Sequence, residues 1–427
     1  MIATPIGGLQ QTTNYKVVLP FYVYAAASFL VGTILLLANT AIFQIHYFNP
    51  HTLAITHVMA LGWGTMMVLG ASHQLLPVLI EGKLDSNLLA YLSFIFTAIG
   101  IPILIVGFYT FQLGGVAQLG GILINIGVIC YVVNVFASSL KSNRKNVHAW
   151  FMITAVLWLF STVFLGLLLL LNFSKPILPK DSVHYLALHA HLGIIGWFLL
   201  MVIGVGSRLI PMFLISKYTN NKILWIIYGL LNAGLISFIF LLLFEAPTVG
   251  YYLPIGMLLA AVILFGRHCY LAYKIRIRRN VDEQMKTSLL SIVQMLLPII
   301  TLILLLAILP ADLFPNMALL YGFCIFFGWL TAIIIGMTFK TLPFIIWNKV
   351  YHTKAYKGKT PAPKELFSEN IYNIMLYAYL AGFILFCIGI IILNSIVLKL
   401  GAMALVASAV LYVVNIGKAL SHKPKLS

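Results

Sequence analysis

The chain is predicted to be an all-α polytopic membrane protein, with twelve transmembrane helices in three four-helix quasi-repeats. Three observations predict this fold class: the composition, the number of apolar segments, and a motif that recurs at constant spacing. Of the 427 residues, 62% are hydrophobic and only 8% are charged, and the mean hydropathy is +1.04. A water-soluble core cannot bury that much apolar surface, so much of it must face lipid.

Twelve apolar segments are each long enough to cross a bilayer as a helix. A helix rises about 1.5 Å per residue, so a hydrocarbon layer about 30 Å thick needs roughly 20 apolar residues. The segments lie at approximately 17–43, 51–80, 87–111, 115–138, 148–171, 183–214, 222–243, 250–274, 286–309, 316–347, 370–393 and 396–420. All nine acidic residues fall in the loops or at the segment ends.

The net charge of +17 is distributed unevenly between alternate loops. With a cytoplasmic N-terminus, the inner loops contain Lys141, Arg144, Lys145, Lys217, Lys222, Lys274, Arg276, Arg278, Arg279 and the lysines between 349 and 364. The outer loops contain only Lys175, Lys180 and Lys399. This asymmetry predicts an integral protein, of the bacterial inner (plasma) membrane type, with both termini in the cytoplasm. Attraction to anionic membrane lipid then explains the basic loops, and we expect no nucleic acid partner.

Segments 2, 6 and 10 share one motif, a Gly-Trp pair with a glycine seven residues and a proline fourteen residues after the tryptophan. A histidine precedes the pair by five residues in the first two copies, and Phe323 takes that place in the third. The matched residues are His57, Gly62-Trp63, Gly70 and Pro77; His191, Gly196-Trp197, Gly204 and Pro211; and Gly328-Trp329, Gly336 and Pro343. One segment precedes each copy and two follow it, which predicts quasi-repeats over 17–140, 148–275 and 286–420.

The residues shared between the copies have a physical reason. Glycines at matched places allow helix backbones, or a flat ring, to approach where a Cβ would interfere. Arg208 and Lys340 occupy equivalent positions near the inner surface, where Gln74 stands in the first copy. We expect both cations to extend toward lipid headgroups.

Three histidines, His57, His189 and His191, are predicted to lie in the outer half of the membrane. A histidine in hydrocarbon is costly unless it is paired, so each is a candidate ligand, with helix-to-helix hydrogen bonding as the alternative. His189 and His191 project about 200° apart on one helix, so that helix can face two different sites. His73 lies sixteen residues beyond His57 and is too far along the helix to share its site.

Two imidazoles that face each other across a gap lined by glycine and aromatic residues are what a b-type haem requires. A copper or zinc ion usually needs three or four protein ligands, more histidines than these segments clearly supply. Haem is therefore the more economical cofactor, and copper is not supported.

The stretch HAHLGIIGWFLLMVIGVGSRLIP, from His189 to Pro211, resembles the tenth helix of haem-copper oxidase subunit I, most closely that of the C-type (cytochrome cbb) catalytic subunit. That family has twelve helices in three arcs. The resemblance implies that His57 and His191 hold a low-spin haem and that His189 holds a high-spin haem. The chain departs from the family because its H-x-H is in segment 6 and residues 222–243, where copper ligands would lie, contain no histidine. The NnrS family of haem and copper membrane proteins is a second resemblance.

These observations predict a membrane haem protein that carries electrons, or binds or reduces a diatomic gas (O2 or NO), in the outer half of the membrane. One haem is expected between segments 2 and 6, and a second on His189 would have an open position for gas. Lys175, Lys180 and His184 are the available partners for haem propionates. An electron donor or accessory subunit is an expected partner, and enzymatic turnover is left open with no catalytic residue assigned. The alternatives are a secondary transporter and a cofactor-free assembly or structural subunit with the oxidase-like scaffold.

Overall fold

The computed structural model describes residues 13–142, 146–277, 279–307, 314–351 and 360–424. Twelve helices in these ranges are long and apolar enough to cross a membrane, which confirms the predicted fold class. They are α1 Tyr15–Ala38, α2 Pro50–Leu79, α3 Asn87–Tyr109, α4 Gly115–Leu140, α5 Val147–Ser174, α6 Leu186–Phe213, α7 Asn221–Leu243, α8 Thr248–Lys274, α9 Glu283–Leu306, α10 Asn316–Tyr351, α11 Glu369–Ile391 and α12 Ser395–Leu420. The described residues form no β-strand beyond one isolated bridge between Ser216 and Arg276.

The orientation in the membrane remains a prediction from loop charge. Arg144, Lys145, Arg278 and the cations of 352–359 lie outside the described residues. We call the end at which α2, α6 and α10 begin the outer end, following the predicted orientation.

Helices α2, α6 and α10 are the most buried of the twelve and form the centre of the bundle. The other helices surround them, and their outward faces expose large apolar side chains such as Leu88, Phe240 and Ile396. A soluble protein rarely exposes apolar patches of this extent, whereas a lipid-facing surface requires them.

Each central helix contains a π-helical segment at the same place. These segments are Val58–Thr65, Leu192–Leu199 and Cys324–Trp329. They begin directly after His57, His191 and Phe323, the three residues that the motif aligns. A π-helical turn contains an extra residue, which changes the face that the following residues present and is frequently found at functional sites. The α-helical period of 3.6 residues, on which a prediction from sequence relies, does not reveal these π-helical turns.

The motif glycines pack each central helix against the helix that precedes it. A Cβ on Gly70 would lie 2.7 Å from the Cβ of Phe21 on α1. A Cβ on Gly204 would likewise overlap the side chain of Phe151 on α5, and a Cβ on Gly336 would overlap Ser288 on α9. None of the three positions has room for a side chain, which confirms the predicted role of these glycines. The quasi-repeat boundaries themselves remain a prediction.

Indole hydrogen bonds join the three central helices to one another. The Trp63 Nε1 donates to Thr331 Oγ1 of α10 at 3.0 Å, and the Trp197 Nε1 donates to Thr65 Oγ1 of α2 at 3.1 Å. Both acceptors stand two residues after the tryptophan of their own motif copy, so the two bonds are equivalent. The third such position holds Leu199, which has no acceptor group.

The expected placement of Lys340 was wrong. Its ammonium group forms an ion pair with Asp282 at the start of α9, and only 10% of the lysine side chain is exposed. A carboxylate within reach stabilises the charge of a cation that is largely buried. Arg208, at the equivalent position, is exposed as predicted.

Candidate functional site

A cavity of about 340 Å³ lies in the outer half of the bundle and is lined by α2, α3, α4, α5, α6 and α10 and by the segment between α1 and α2. Its wall is almost entirely apolar, with aromatic residues such as Phe108, Phe198 and Phe326. His57 and His189 both line it, and His191 does not. The cavity extends from this histidine pair toward α4 and α5 on one side and toward α10 on the other.

His57 is held by its own helix. Its Nδ1 lies 2.7 Å from the carbonyl oxygen of Leu53, one turn earlier. Because a carbonyl can only accept, Nδ1 carries the proton and Nε2 is left with its lone pair. The ring also packs against Phe108 of α3 at a centroid distance of 4.5 Å.

His189 is held by α5 rather than by its own helix. Its Nδ1 lies 3.1 Å from the carbonyl oxygen of Thr162, so this imidazole also has its Nε2 unprotonated. The ring lies over Gly166, one turn further along α5, where a Cβ would be 2.8 Å from its Cε1. Thr162 and Gly166 therefore form a seat for the His189 ring, and neither residue was predicted to have a role.

The separation of the two rings is close to what one metal ion between them would require. Their centroids are 6.2 Å apart and their planes differ by 18°. With metal–imidazole bonds of about 2.0–2.1 Å, two imidazoles in line across one metal ion have centroids about 6.4 Å apart. A metal-ligating histidine typically donates its other ring N–H to a carbonyl or carboxylate, as both rings do here.

The structure pairs His57 with His189, not with His191 as the resemblance implied. His191 donates through Nδ1 to the carbonyl oxygen of Ala187 at 2.7 Å, and its Nε2 lies 3.0 Å from the Tyr321 hydroxyl of α10. The two histidines of the H-x-H do face different sites, as the helical geometry predicted. The angle between them does not tell which one faces α2, because that depends on how α6 is rotated in the bundle.

The same pairing recurs between the next two central helices. His57 faces the residue on α6 that stands two positions before His191. His191 in turn faces Tyr321, which stands two positions before Phe323 on α10. The first combination is two imidazoles and the second is an imidazole with a phenol. The third equivalent pair, on α10 and α2, is a phenylalanine and an isoleucine. Only the first combination provides two nitrogen ligands across a cavity.

Among the described residues, no histidine other than His57 and His189 lines the outer cavity. His73 is buried against Phe21 and Tyr131, away from the residues that line the outer cavity, in agreement with the prediction. His184 is exposed at the outer end and contacts Tyr185.

Of the cations proposed as propionate partners, Lys175 is exposed. Lys180 forms an ion pair with Glu245 in the loop after α7, an interaction that was not predicted. This pairing makes Lys180 a weaker candidate.

The ligand set favours a group that needs only two protein ligands. Within the described ranges, no group of three or more His, Cys, Asp or Glu side chains could hold a metal ion. Zinc and copper centres built from protein side chains usually have three or four ligands, whereas a haem iron takes four nitrogens from its porphyrin and needs only two axial ligands.

Neither a protein-family model nor a curated protein matches this chain. The geometry of the two histidines and their cavity is therefore the basis for a proposed function.

Proposed function

We propose that His57 and His189 are the axial ligands of one b-type haem in the outer cavity, and that the protein carries electrons in a membrane. The observation that carries this proposal is the pair of histidines that line the outer cavity, with ring centroids 6.2 Å apart and both Nδ1 atoms bonded to carbonyl oxygens. When bound, such a haem supplies one-electron exchange between its ferric and ferrous states.

The protein's own residues suit that role in three ways. The carbonyl groups of Leu53 and Thr162 fix the tautomer of each imidazole, so that Nε2 is ready to bind a metal without losing a proton. The apolar and aromatic wall provides a surface on which a flat apolar ring can pack. The seat formed by Thr162 and Gly166 fixes the orientation of His189.

The pairing favours electron transfer over gas handling. If both histidines bind the same iron, no position is open for O2 or NO unless one imidazole leaves. The predicted second haem on His189 alone is not supported by this arrangement, because His189 is the partner of His57. We further propose that the chain lies in a bacterial inner membrane with both termini in the cytoplasm, which places the cavity near the outer surface.

The absorption spectrum of the purified protein tests the proposal. We expect b-type reduced-minus-oxidised bands and little response to carbon monoxide in the native chain. His57→Ala and His189→Ala should lose haem or become responsive to carbon monoxide, since one axial position is then vacant. His191→Ala is the matched control, from the same helix two residues away, and should keep the native spectrum.

The proposal is wrong if His191→Ala abolishes the haem bands while His189→Ala preserves them. A folded protein that stays colourless when it is supplied with haem also contradicts it. That second result favours the transporter or the cofactor-free subunit.

A further inference from the structure

A second, smaller cavity of about 90 Å³ lies in the inner half of the bundle. It is enclosed by α2, α6 and α10 together with α1, α8 and α9, and it shares no lining residue with the outer cavity. The proposed electron-transfer function gives it no role.

Methionine is concentrated in the wall of this inner cavity. Four of its twenty lining residues are methionines, whereas the whole chain has 14 in 427. They are Met67 of α2, Met201 of α6, Met295 of α9 and Met337 of α10. Met67 and Met201 each stand four residues after the tryptophan of their motif copy, so they are equivalent positions. All three central helices thus contribute a methionine to the wall of one cavity.

The other lining groups are poor ligands for hard cations. The cavity is lined by no His, Cys, Asp or Glu side chain. Among the hydroxyl groups that do line it, Tyr22 is hydrogen-bonded to Thr341 at 2.9 Å, and Ser72 donates to the Leu69 carbonyl oxygen at 2.9 Å. Ca²⁺ and Mg²⁺ prefer oxygen ligands, chiefly carboxylates and carbonyls, and Zn²⁺ is bound by thiolate, imidazole or carboxylate groups. Thioethers are soft and neutral, and they select Cu(I).

Methionine also fills irregular gaps in apolar cores, which is its commoner use. Protein interiors are normally close-packed, and the four flexible methionine side chains could fill this space. They leave a cavity instead. The charge of the ion matters as well, because transferring an ion into an apolar interior costs more as its charge rises. A monovalent ion is therefore favoured over any divalent one.

We propose that the inner cavity binds one Cu(I) ion through the thioether sulfurs of Met67, Met201 and Met337, with Met295 as a fourth ligand. This site is separate from the histidine pair and does not depend on the proposed haem.

Silver binding to the full-length protein in detergent tests this site, since Ag(I) has the ligand preference of Cu(I) and does not change oxidation state. The test variant combines Met67→Leu, Met201→Leu and Met337→Leu, because Leu for Met conserves volume and is among the core substitutions that proteins tolerate best. The matched control combines Met152→Leu, Met285→Leu and Met375→Leu, three buried methionines that line neither cavity. The cysteines of the chain also bind silver, so the measured quantity is the difference between variants.

We expect the native chain and the control to bind one more Ag(I) per chain than the cavity variant. X-ray absorption of the Cu(I)-loaded native chain should show sulfur ligands that the cavity variant loses. If the cavity variant and the control bind silver equally, or if the copper has only nitrogen and oxygen ligands, the inner cavity is an apolar void and the proposal is wrong. Should the triple variant fail to fold, the single variants Met67→Leu and Met201→Leu are each expected to weaken Ag(I) binding at least tenfold, and unchanged binding in both would overturn the site.

Discussion

Gly166→Ala is expected to displace His189 from its position opposite His57. The new Cβ would lie 2.8 Å from the Cε1 and 3.3 Å from the Nδ1 of the His189 ring. The ring cannot retreat without lengthening its 3.1 Å hydrogen bond to the Thr162 carbonyl group. The substitution therefore weakens the hydrogen bond that fixes the tautomer of His189, and it moves the His189 ring. Both histidines remain in the chain.

The size of the effect follows from these distances. To restore a carbon–carbon contact of about 3.5 Å, the ring has to move by about 0.7 Å. Metal–ligand distances vary by only about 0.2 Å between good sites, so this shift is several times larger than a bound metal tolerates. Loss of the hydrogen bond that orients a metal-ligating histidine weakens metal binding about 10–100-fold. That range corresponds to about 1.4–2.8 kcal/mol.

Haem titration followed by absorption spectroscopy measures this change. We expect Gly166→Ala to retain less haem and to gain a response to carbon monoxide. Gly229→Ala is the matched control, because Gly229 also lies within a membrane-spanning helix, lines neither cavity, and has no atom within 4 Å of a new Cβ. It should keep the native spectrum. If Gly166→Ala has the same haem affinity and spectrum as Gly229→Ala and the native chain, the seat on α5 does not position a ligand.

Three further substitutions test the packing around the site, each by thermal or denaturant unfolding in detergent. Tyr321→Phe removes the hydrogen bond to His191 and is expected to lower the free energy of unfolding by about 0.5–1.5 kcal/mol. The haem spectrum should not change. A lost or altered spectrum would mean that His191 and Tyr321 also hold the haem. Trp197→Phe leaves the buried Thr65 hydroxyl without its indole donor and should destabilise the protein by about 1–3 kcal/mol; no loss of stability would contradict the interhelical bond. Gly120→Ala places a Cβ 2.5 Å from a backbone nitrogen of α3. Helices α3 and α4 then have to move apart, which should lower the free energy of unfolding by about 1–3 kcal/mol. An increase in stability would show that the two helices are not in contact there.

The transmembrane segments were predictable because hydrophobic length is a local property of the sequence. Each of the twelve predicted apolar segments corresponds to one helix, and the motif glycines Gly70, Gly204 and Gly336 do lie where a neighbouring helix leaves no room for a side chain. Spacing along one helix also predicted correctly that His189 and His191 face different sites.

The pairing of the histidines depends on quantities that no single segment contains. Which histidine of α6 faces His57 depends on the rotation of that helix. The π-helical segments change the rotation of the histidines before them relative to the motif glycines and prolines after them. The seat for His189 lies on α5, more than twenty residues earlier in the chain, and its members Thr162 and Gly166 carry no ligand chemistry that would single them out. The ion pair between Lys340 and Asp282 was missed for the same reason, because its partners come from different helices.

The electron paramagnetic resonance spectrum of the oxidised native protein tests the central claim most directly. Two axial imidazoles give a low-spin ferric signal whose shape depends on the angle between their planes. Because the planes of His57 and His189 differ by only 18°, we expect a rhombic low-spin signal with three resolved g values, lost in His189→Ala and retained in His191→Ala. A high-spin axial signal from the native protein, or the strongly anisotropic low-spin signal of perpendicular imidazoles, would contradict the account.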